Sequence, residues 1–598
     1  MNETLTITIN NKPYKVKVGQ SVMQAADACG YHIPRLCYHP DLSVEGACRV
    51  CIVKVEGARN YVASCAFPIS DGMKIQTNTA GLRRARRDIV ELLLDNHPDD
   101  CHTCERDGHC ELQNLAHAMG IRNRHFEGER KEYDKDLSSP AVVRDPEKCV
   151  LCVRCVRMCQ EVQGVNALGY AHRGFNTVVM PAYNMPFGES VCSQCGQCIN
   201  VCPTAAFTEK NHTQELFEKL NDSDRVKVVQ IAPAVRAGIG EAFGLAPGRN
   251  MEHEIAAALR RLGFDYVFDT QFSADLTILE ESNEFLERLQ GKAKLPMITS
   301  CCPGWINTVE KFHSDLLDNV STCKSPMSMM SSIIKTTFAE REKIDPAKIY
   351  SVAVMPCTAK KGEAGRSEHS LDGMVSTDLS ITTRELAWMI KSAGIDLVNL
   401  QGEAFDRPFG MSSGAAPIFG VTGGVMEAAV RTAYELATGE TLIDIELETI
   451  RGFDGIKEGA VNVEGTEVRV AVAHGLGNTH KLLDIMRADP ERYHFVEIMA
   501  CPGGCVGGGG QPYPCTTAQP LDEVVMGERA EALYGSDRKN TIRRSHENPE
   551  IQRLYKEFLG RPCGDKSHDL LHTHYKKQGP QGIVSPRIKT DKNKKAAS

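Results

Sequence analysis

The sequence predicts a multidomain protein in which several α+β units carry metal clusters and a larger α/β unit follows them. The chain has 598 residues, which is enough for several domains. It contains 24 cysteines, and sixteen of them lie before residue 203, many with gaps of two or three residues. After about residue 225, short runs rich in Val and Ile alternate with helical stretches, a pattern typical of strands buried between helices.

Composition and charge exclude several classes of protein. Hydrophobic residues make up 42% and charged residues 24% of the chain, as in ordinary globular proteins. The net charge of -8 argues against nucleic acid as a main partner. The chain has no 18-residue apolar stretch, and "MNETLTITIN" is unlike a signal peptide, so we predict no membrane span and a cytoplasmic location. Clustered cysteines in such a protein indicate metal or iron–sulfur ligation.

Residues 1–78 predict a β-grasp ferredoxin-like domain with a 2Fe–2S cluster. The stretch "TLTITINNKPYKVKV" alternates apolar and polar residues around "NNK", which is typical of a β-hairpin, and a short helix follows. The ligand candidates have the spacing C-x10-C-x2-C-x13-C and are Cys37, Cys48, Cys51 and Cys65. This spacing after a hairpin favours a 2Fe–2S cluster over structural zinc, which usually uses two close C-x2-C pairs. Cys29 is expected to be a buried free thiol.

Residues 79–138 predict a second cluster domain. An amphipathic helix at 83–95 leads into the pattern H-x3-C-x2-C-x5-C, formed by His97, Cys101, Cys104 and Cys110. Such a set could hold zinc. Its place between two iron–sulfur candidates favours a 4Fe–4S cluster with one imidazole ligand. By proximity, His102 and His109 are alternative ligands.

Residues 139–210 contain an internal repeat that predicts a bacterial two-4Fe–4S ferredoxin-like domain. "CVLCVRCVRMC" and "CSQCGQCINVCP" both read C-x2-C-x2-C-x3-C. In this pattern the fourth cysteine of each run ligates the other cluster. The two predicted ligand sets are therefore Cys149, Cys152, Cys155 and Cys202, and Cys192, Cys195, Cys198 and Cys159.

Residues 225–520 predict an α/β domain in which each cysteine motif follows a buried strand. The motifs are "TSCCPGW" at 299–305, "MPCTAKKGE" at 355–363 and "EIMACPGGCVGGGGQP" at 497–512. Ligands in such folds bind at the carboxyl ends of strands. Four thiols could converge there on another 4Fe–4S cluster, those of Cys302, Cys357, Cys501 and Cys505, with Cys301 left over. The glycines after Cys501 would let backbone approach a bulky cofactor.

These three motifs closely resemble the signature of the FeFe-hydrogenases. The N-terminal order of clusters is similar to that of the larger members, so the resemblance covers essentially the whole chain. The related iron–sulfur assembly factors lack this N-terminal set of clusters and do not keep all the motifs. The resemblance implies reversible reduction of protons to H2, maturases that insert the diiron unit, and an α/β hydrogenase domain around an H-cluster.

The resemblance also implies residue roles. The H-cluster is a 4Fe–4S cubane bridged to a diiron unit with CO, cyanide and a dithiolate amine. Cys302, Cys357, Cys501 and Cys505 would hold the cubane, and Cys505 would bridge to the diiron unit. Lys360 would donate a hydrogen bond to a cyanide. The other pocket positions are Met355, Met499 and Phe419, and Glu363 belongs to the same motif as Lys360.

A proton relay follows from the same resemblance. Cys301 would exchange protons with the bridging amine, since a thiol exchanges protons readily. Glu281, Ser321 and Glu284 would continue the path to water. An i, i+3 Glu pair is ordinarily a solvated helix face. Two positions depart from many family members: Met327 stands where Gln follows Lys-Ser-Pro, and Ala234 stands where some members have a hydroxyl residue.

The C-terminal part is expected to be helical over 521–576, resembling the hydrogenase small subunit, with a disordered basic tail at 577–598. Cys515 and Cys563 are isolated, so a further accessory cluster is not expected.

The sequence does not decide between two forms of the enzyme, which differ in their outer electron partner. No G-x-G-x-x-G motif follows a predicted strand, so no flavin or nicotinamide site is expected in this chain. The N-terminal set also resembles the electron-carrying subunit of respiratory NADH dehydrogenase. Catalytic subunits of NAD(P)-linked, sometimes electron-bifurcating, hydrogenases share this layout, and we favour that form over a stand-alone ferredoxin-linked enzyme. The alternative of another class is a non-catalytic electron-transfer or H2-sensing subunit. An intact relay argues against it, because sensors of the family usually lose that path.

Overall fold

The structure is a computed structural model that describes residues 4–126, 128–442, 445–463, 466–513 and 521–578. Most of the predicted tail at 577–598 lies outside these residues, as does Cys515.

The N-terminal sheet confirms the predicted hairpin and short helix. Five strands are arranged in the order β2-β1-β5-β3-β4, and the helix Val22–Ala28 packs against them through Val22 and Met23. The capping box of Ser21 and Gln24 fixes the start of this helix. The strands are β1 (Thr4–Ile9), β2 (Lys12–Lys17), β3 (Ile52–Val55), β4 (Val62–Ala63) and β5 (Lys74–Gln76).

The next part of the chain is built from short elements. The amphipathic helix predicted at 83–95 spans Ala80–Asp95. Two small antiparallel pairs follow, formed by β6 (Val142–Arg144) with β9 (Phe207–Glu209) and by β7 (Gly169–Ala171) with β8 (Val178–Met180). The helices of this part are Glu111–Ala118, Arg154–Arg157, Gln197–Val201 and Thr213–Leu220.

Two four-stranded sheets form the centre of the large unit. One has the order β11-β10-β13-β14 and is parallel throughout. The other has the order β12-β17-β16-β15, in which only β15 is antiparallel to its neighbour. The strands are β10 (Val226–Ile231), β11 (Tyr266–Asp269), β12 (Met297–Ile298), β13 (Ile349–Met355), β14 (Leu379–Thr382), β15 (Ile456–Val463), β16 (Thr466–His474) and β17 (Phe495–Met499). The apolar runs "RVKVVQIAP", "KIYSVAVMPC", "TEVRVAVAHG" and "YHFVEIMAC" contain β10, β13, β16 and β17, so the α/β prediction is confirmed.

Helices cover both sheets. All seven residues of β13 are buried, as expected for a parallel strand with helices on both faces. The helices are Pro233–Gly238, Glu252–Leu262, Thr270–Leu289, Pro303–Phe312, Pro326–Ile333, Ala339–Glu342, Ala359–Ala364, Thr383–Ser392, Gly424–Thr438 and Leu476–Ala488.

The C-terminal segment is helical, as predicted, and packs on the large unit. Its helices are Glu523–Lys539, Pro549–Leu554 and Asp565–Leu571. Leu533 packs with Ala234 beside the strand ends, and Ile551 packs in the cluster that contains Phe272. Arg431, which is fully buried, bonds to Asp537 at 2.8 Å and ties the first of these helices to the large unit. Among the described helices, none is long and apolar enough to cross a bilayer.

Candidate active site

A cavity of about 730 Å³ lies where the carboxyl ends of five strands meet. Residues just after β10, β11, β12, β13 and β17 line it, which agrees with the prediction from strand ends. Its polar and sulfur-bearing lining consists of Thr270, Cys301, Cys302, Cys357, Lys360, Cys501 and Cys505, together with Met327, Met355 and Met499.

The four thiols predicted to hold one cluster all line this cavity. Burial raises the pKa of each, and the charges of Cys357 and Cys302 act on both Cys501 and Cys505. The backbone amide of Ala500 donates to the Cys302 sulfur at 3.3 Å. Amide donors of this kind stabilise thiolate ligands and tune cluster potentials.

At two positions of the cavity wall, glycine is required because a side chain would collide with neighbouring backbone. A Cβ added at Gly504, whose φ is +89°, would come within 2.7 Å of the Thr422 nitrogen, and one at Gly508 would come within 2.1 Å of the Pro356 oxygen. Only glycine fits at these positions. The wall, the four thiols and the cavity size together suit a bulky iron–sulfur cofactor.

Lys360 is held at the edge of the cavity by a buried network. Its ammonium pairs with Glu363 at 2.7 Å and donates to the Ser325 hydroxyl at 2.6 Å and the Cys301 carbonyl oxygen at 3.3 Å. Ser325 and Ser328 both donate to Glu363. Burial raises the pKa of this carboxyl, but the charge of Lys360, with hydrogen bonds from Lys360 and Ser325, holds it below its usual range. Glu363 therefore balances the lysine charge and fixes its position.

The rest of the lining is apolar. Phe419, Met355 and Met499 lie at the cavity wall, each less than a tenth exposed. Met327 and Ala234, the two departures noted in the sequence, also line the cavity. They add no hydrogen-bonding side chain where other members of the resembled family carry a polar one.

Cys301 lies at the boundary between this cavity and a group of buried carboxyls. Its pKa is raised mainly by burial and next by the charge of Glu281. Glu281 is fully buried, and neither of its carboxylate oxygens has a hydrogen-bond partner among the described residues. Burial, Glu284 and Glu497 raise the pKa of Glu281 to about 8. A carboxyl in this environment is mostly protonated at neutral pH.

Ser321, Glu284 and Arg288 continue from this carboxyl. The Ser321 hydroxyl donates to Glu284 at 2.8 Å. Arg288 donates to the other oxygen of Glu284 at 2.6 Å and to three backbone carbonyls at distances up to 3.1 Å. These bonds fix the position of the Glu284 carboxyl group beside the hydroxyl.

Cys37, Cys48, Cys51 and Cys65 form one group in the N-terminal domain. The Cys51 and Cys65 sulfurs are 3.5 Å apart. Hydrogen bonds from Cys48 and Cys65 lower the pKa of Cys37 to about 2. A chain of contacts thus joins the four thiols, as a 2Fe–2S site needs.

His97 and three cysteines mark the second group. His97 is 8% exposed, and burial lowers its pKa to about 4, so the ring is neutral as a metal ligand requires. Cys110 is buried, Cys104 is half-buried and Cys101 is exposed. The alternatives His102 and His109 are both exposed.

The repeat cysteines group across the two runs. After the larger effect of burial, the charge of Cys202 raises the pKa of Cys149 and Cys152 in the first run. In the same way, the charge of Cys159 raises the pKa of Cys192 and Cys198 in the second run. Amides donate to the sulfurs of Cys149, Cys159 and Cys192 at 3.4, 3.3 and 3.2 Å. This arrangement is the one that the crossed ligand sets require.

The ligand set that contains Cys195 adjoins the active-site cavity. The charge of Cys302 raises the pKa of Cys195, and that of Cys195 raises the pKa of Cys501. Thr358 donates to the Gln194 carbonyl at 2.8 Å, and Gln197 donates to the Gly507 carbonyl at 3.0 Å. The two units are thus packed together at the cysteines.

Several residues at this site have roles that the sequence patterns did not indicate. Glu497 is fully buried in the middle of β17 and accepts hydrogen bonds from the amides of Gly423 and Met426, both at 2.7 Å. A Glu within the apolar run "HFVEIMAC" could have indicated a buried carboxyl from the sequence alone. The role of Arg288 depends on folding, because the backbone carbonyls of Asp318 and Val320 that hold it lie on another segment.

Comparisons with known families cover most of the chain. Residues 225–509 match the family described as iron only hydrogenase large subunit, C-terminal domain, and residues 522–578 match iron hydrogenase small subunit. Residues 2–80 match a 2Fe-2S iron-sulfur cluster binding domain. Residues 86–125 match the NADH-ubiquinone oxidoreductase-G iron-sulfur binding region, and residues 139–208 match the ferredoxin-like domain of NADH-quinone oxidoreductase subunit 3.

Individual proteins match over almost the full length. The chain is 49% identical to NADP-reducing hydrogenase subunit HndD of Solidesulfovibrio fructosivorans, over 96% of this chain and 99% of that one. It is 38% identical to iron hydrogenase 1 of Clostridium pasteurianum, over 96% and 100%. The solved structure of [FeFe]-hydrogenase HydA1 from Chlamydomonas reinhardtii is 45% identical with a TM-score of 0.56, and covers 62% of this chain and 100% of that one.

Proposed function

The chain belongs to the FeFe-hydrogenase (iron-only hydrogenase) family, and from this premise we propose how its residues serve the interconversion of protons and H2 and which proteins exchange electrons with it. It is a hydrogenase catalytic subunit with a chain of iron–sulfur domains. The observation that carries the residue assignments is the single cavity lined by all four motif cysteines and by Cys301.

Cys302, Cys357, Cys501 and Cys505 would hold the H-cluster. The cluster, when bound, supplies the metal centre at which electrons and protons are exchanged with H2. Lys360 would donate a charge-assisted hydrogen bond to an anionic group of the cluster, and Glu363 with Ser325 keeps its ammonium in place. Met355, Met499 and Phe419 exclude water from the reacting side, which strengthens the charge interactions inside the cavity.

Cys301 and Glu281 form the inner half of the proton path. The thiol of Cys301 borders the cavity and exchanges a proton there. Among the described residues Glu281 makes no close hydrogen bond, although the Ser321 hydroxyl and the Ser300 amide lie near enough to lower its pKa slightly against the effect of burial. Its resulting pKa of about 8 lies near working pH. A proton carrier works best when its pKa lies close to the pH at which it operates.

Ser321 and Glu284 form the outer half. The hydroxyl can accept a proton from one side and donate to Glu284 on the other, at 2.8 Å. Arg288 anchors Glu284 through a hydrogen bond at 2.6 Å. The path therefore runs from the fully buried Glu281 to Glu284, which lies nearer the surface.

Electrons would reach the cavity through the cluster set that contains Cys195. This set packs directly against the cavity, so its cluster would be the last carrier before the active site. The other repeat set, the His97 set and the 2Fe–2S set would lie further out. Their ligand assignments are those predicted from the sequence.

The outer partners would be flavin- and NADP-binding subunits of a hydrogenase complex, with ferredoxin as a further partner if the complex bifurcates electrons. Support comes from 96% coverage at 49% identity with a subunit named as NADP-reducing, and from two regions that match NADH oxidoreductase subunits. The stand-alone, ferredoxin-linked form is the second candidate, because iron hydrogenase 1 also matches 96% of this chain.

Anaerobic purification from the native host, through a tag on this chain, separates these forms. H2 oxidation is then assayed with ferredoxin, NAD and NADP as acceptors. Copurifying flavoprotein subunits together with NADP reduction would support the complex. A lone active polypeptide that reduces only ferredoxin would favour the second candidate. Matured protein without turnover would point to a sensor or electron carrier.

A further inference from the structure

A second group of metal-binding side chains lies outside the active-site cavity, between the helix Thr270–Leu289 and the C-terminal segment. Glu280, Cys563 and His572 each offer one donor atom, and these atoms all lie within 4.8 Å of one another. Glu280 is fully buried, His572 is 7% exposed and Cys563 is half-buried. We propose that these three residues form a zinc site, distinct from the cluster sites.

The geometry already gathers the donors around one point. His572 Nε2 lies 3.1 Å from Glu280 Oε2, and the backbone amide of Cys563 donates to the same oxygen at 2.7 Å. The Cys563 thiol donates to the Glu280 backbone carbonyl at 3.5 Å, which keeps the sulfur on this side. Tyr555 donates to the other carboxylate oxygen at 2.5 Å and orients the carboxylate.

The donor set selects the metal. One thiolate, one imidazole and one carboxylate suit zinc, which takes sulfur, nitrogen and oxygen in a tetrahedron and leaves the fourth position to water. Calcium and magnesium prefer oxygen donors alone. Zinc binding would release the thiol proton of Cys563 and use the neutral imidazole.

The surrounding charge favours a cation. Glu280, Glu284 and Glu287 lie on one helix, and their charges raise the pKa of Cys563, after the larger effect of burial. Because Cys563 is half-buried and lies in the turn before the helix Asp565–Leu571, an ion has access from the surface. An excess of carboxylates at low dielectric attracts a divalent ion strongly.

The site is connected to the outer proton path. When Nε2 of His572 binds the metal, Nδ1 keeps its proton and donates it to the Thr322 hydroxyl, at 2.8 Å. That hydroxyl lies 3.3 Å from Glu284. An overlapping set of Glu284, Cys323 and His572 offers a competing position for the metal, so the two cysteines distinguish the two positions.

The test uses full-length protein with its clusters, purified without oxygen, treated with a chelator and given one equivalent of Zn²⁺. Zinc and iron per chain are measured after desalting, and the zinc-edge X-ray absorption spectrum gives the ligand types without requiring turnover. The wild type is expected to retain one zinc with a single sulfur and two or three nitrogen or oxygen neighbours. Cys563→Ser should lose the sulfur neighbour and the retained zinc at unchanged iron content, whereas Cys323→Ser should keep both.

Three results would overturn the proposal. The wild type retains no zinc after desalting. Its zinc has only sulfur neighbours, or three sulfurs with one nitrogen, which places the ion in damaged cluster sites. The sulfur neighbour is lost in Cys323→Ser rather than in Cys563→Ser. The first two results come from the unmutated protein, so they do not depend on whether a variant folds.

Discussion

Replacing Glu281 by Gln tests the inner half of the proton path. The side chain keeps its shape but can no longer exchange a proton. With a pKa of about 8, Glu281 is about 90% protonated at pH 7, whereas a carboxyl at the ordinary value of 4.5 would be almost fully ionised. We expect H2 turnover to fall by about 10²–10⁴-fold, the usual contribution of a positioned proton carrier.

The protonation state has a direct spectroscopic readout. Infrared spectra of the wild type minus Glu281→Gln, recorded from pH 5 to 10, should contain a carboxylic acid C=O band that disappears as the pH rises through about 8. Ionising this buried group costs free energy, because its folded pKa is raised above its unfolded value. Its contribution to stability is therefore fully present below pH 4.5 and is lost as pH rises towards 8.

Glu287→Gln is the matched control, since Glu287 lies on the same helix and pairs with Lys292 near the surface. It should keep both the band and the turnover. A wild-type carboxyl that titrates near 4.5, or a Glu281→Gln enzyme with unchanged turnover, would refute the reasoning.

Three further predictions follow from the structure. Ser321→Ala should lower H2 turnover about 10²-fold because the hydroxyl link to Glu284 is lost. Ser321→Thr keeps a hydroxyl and should retain most of the turnover. If the two variants turn over at the same rate, Ser321 is not part of the proton path. His97→Cys replaces a neutral ligand by an anion and should lower the midpoint potential of that cluster in a redox titration followed by electron paramagnetic resonance; an unchanged potential would assign the ligand to another histidine. Arg431→Met removes one of the two guanidinium partners of Asp537 and leaves Arg543 as the other. It should destabilise the protein by about 2–3 kcal/mol, the contribution of hydrogen bonds to a charged group, seen as a lower thermal midpoint than that of the exposed control Arg538→Met; equal midpoints would contradict it.

The sequence predicted the parts of the site that depend on local spacing. The crossed repeat and the three strand-end motifs each lie within a few residues of chain. Because ligands gather at the carboxyl ends of strands, the positions of Cys302, Cys357 and Cys501 just after apolar runs were enough to predict that they meet. The α/β class followed from apolar runs such as β13, which is buried along its whole length.

Other features depend on contacts between distant segments. His572 meets Glu280 across 292 residues, and Arg288 reaches backbone carbonyls some 30 residues away. No spacing rule relates such positions, because they are brought together only when separate segments pack on one another, as the C-terminal segment does on the large unit. The raised pKa of Glu281 likewise results from its burial beside Glu284 and Glu497, and Glu497 is distant in the sequence.

The most direct test of the central claim compares Cys301→Ala with Cys302→Ala after maturation. Infrared spectroscopy detects the CO and cyanide groups that the family resemblance implies, and an H2 oxidation assay with an artificial acceptor measures turnover. If Cys301 is a proton carrier and Cys302 a ligand, Cys301→Ala should keep the CO and cyanide bands and lose turnover by at least about 10²-fold, whereas Cys302→Ala should lose the bands. Full turnover in Cys301→Ala, or unchanged bands in Cys302→Ala, would contradict the assignment of the two neighbouring thiols.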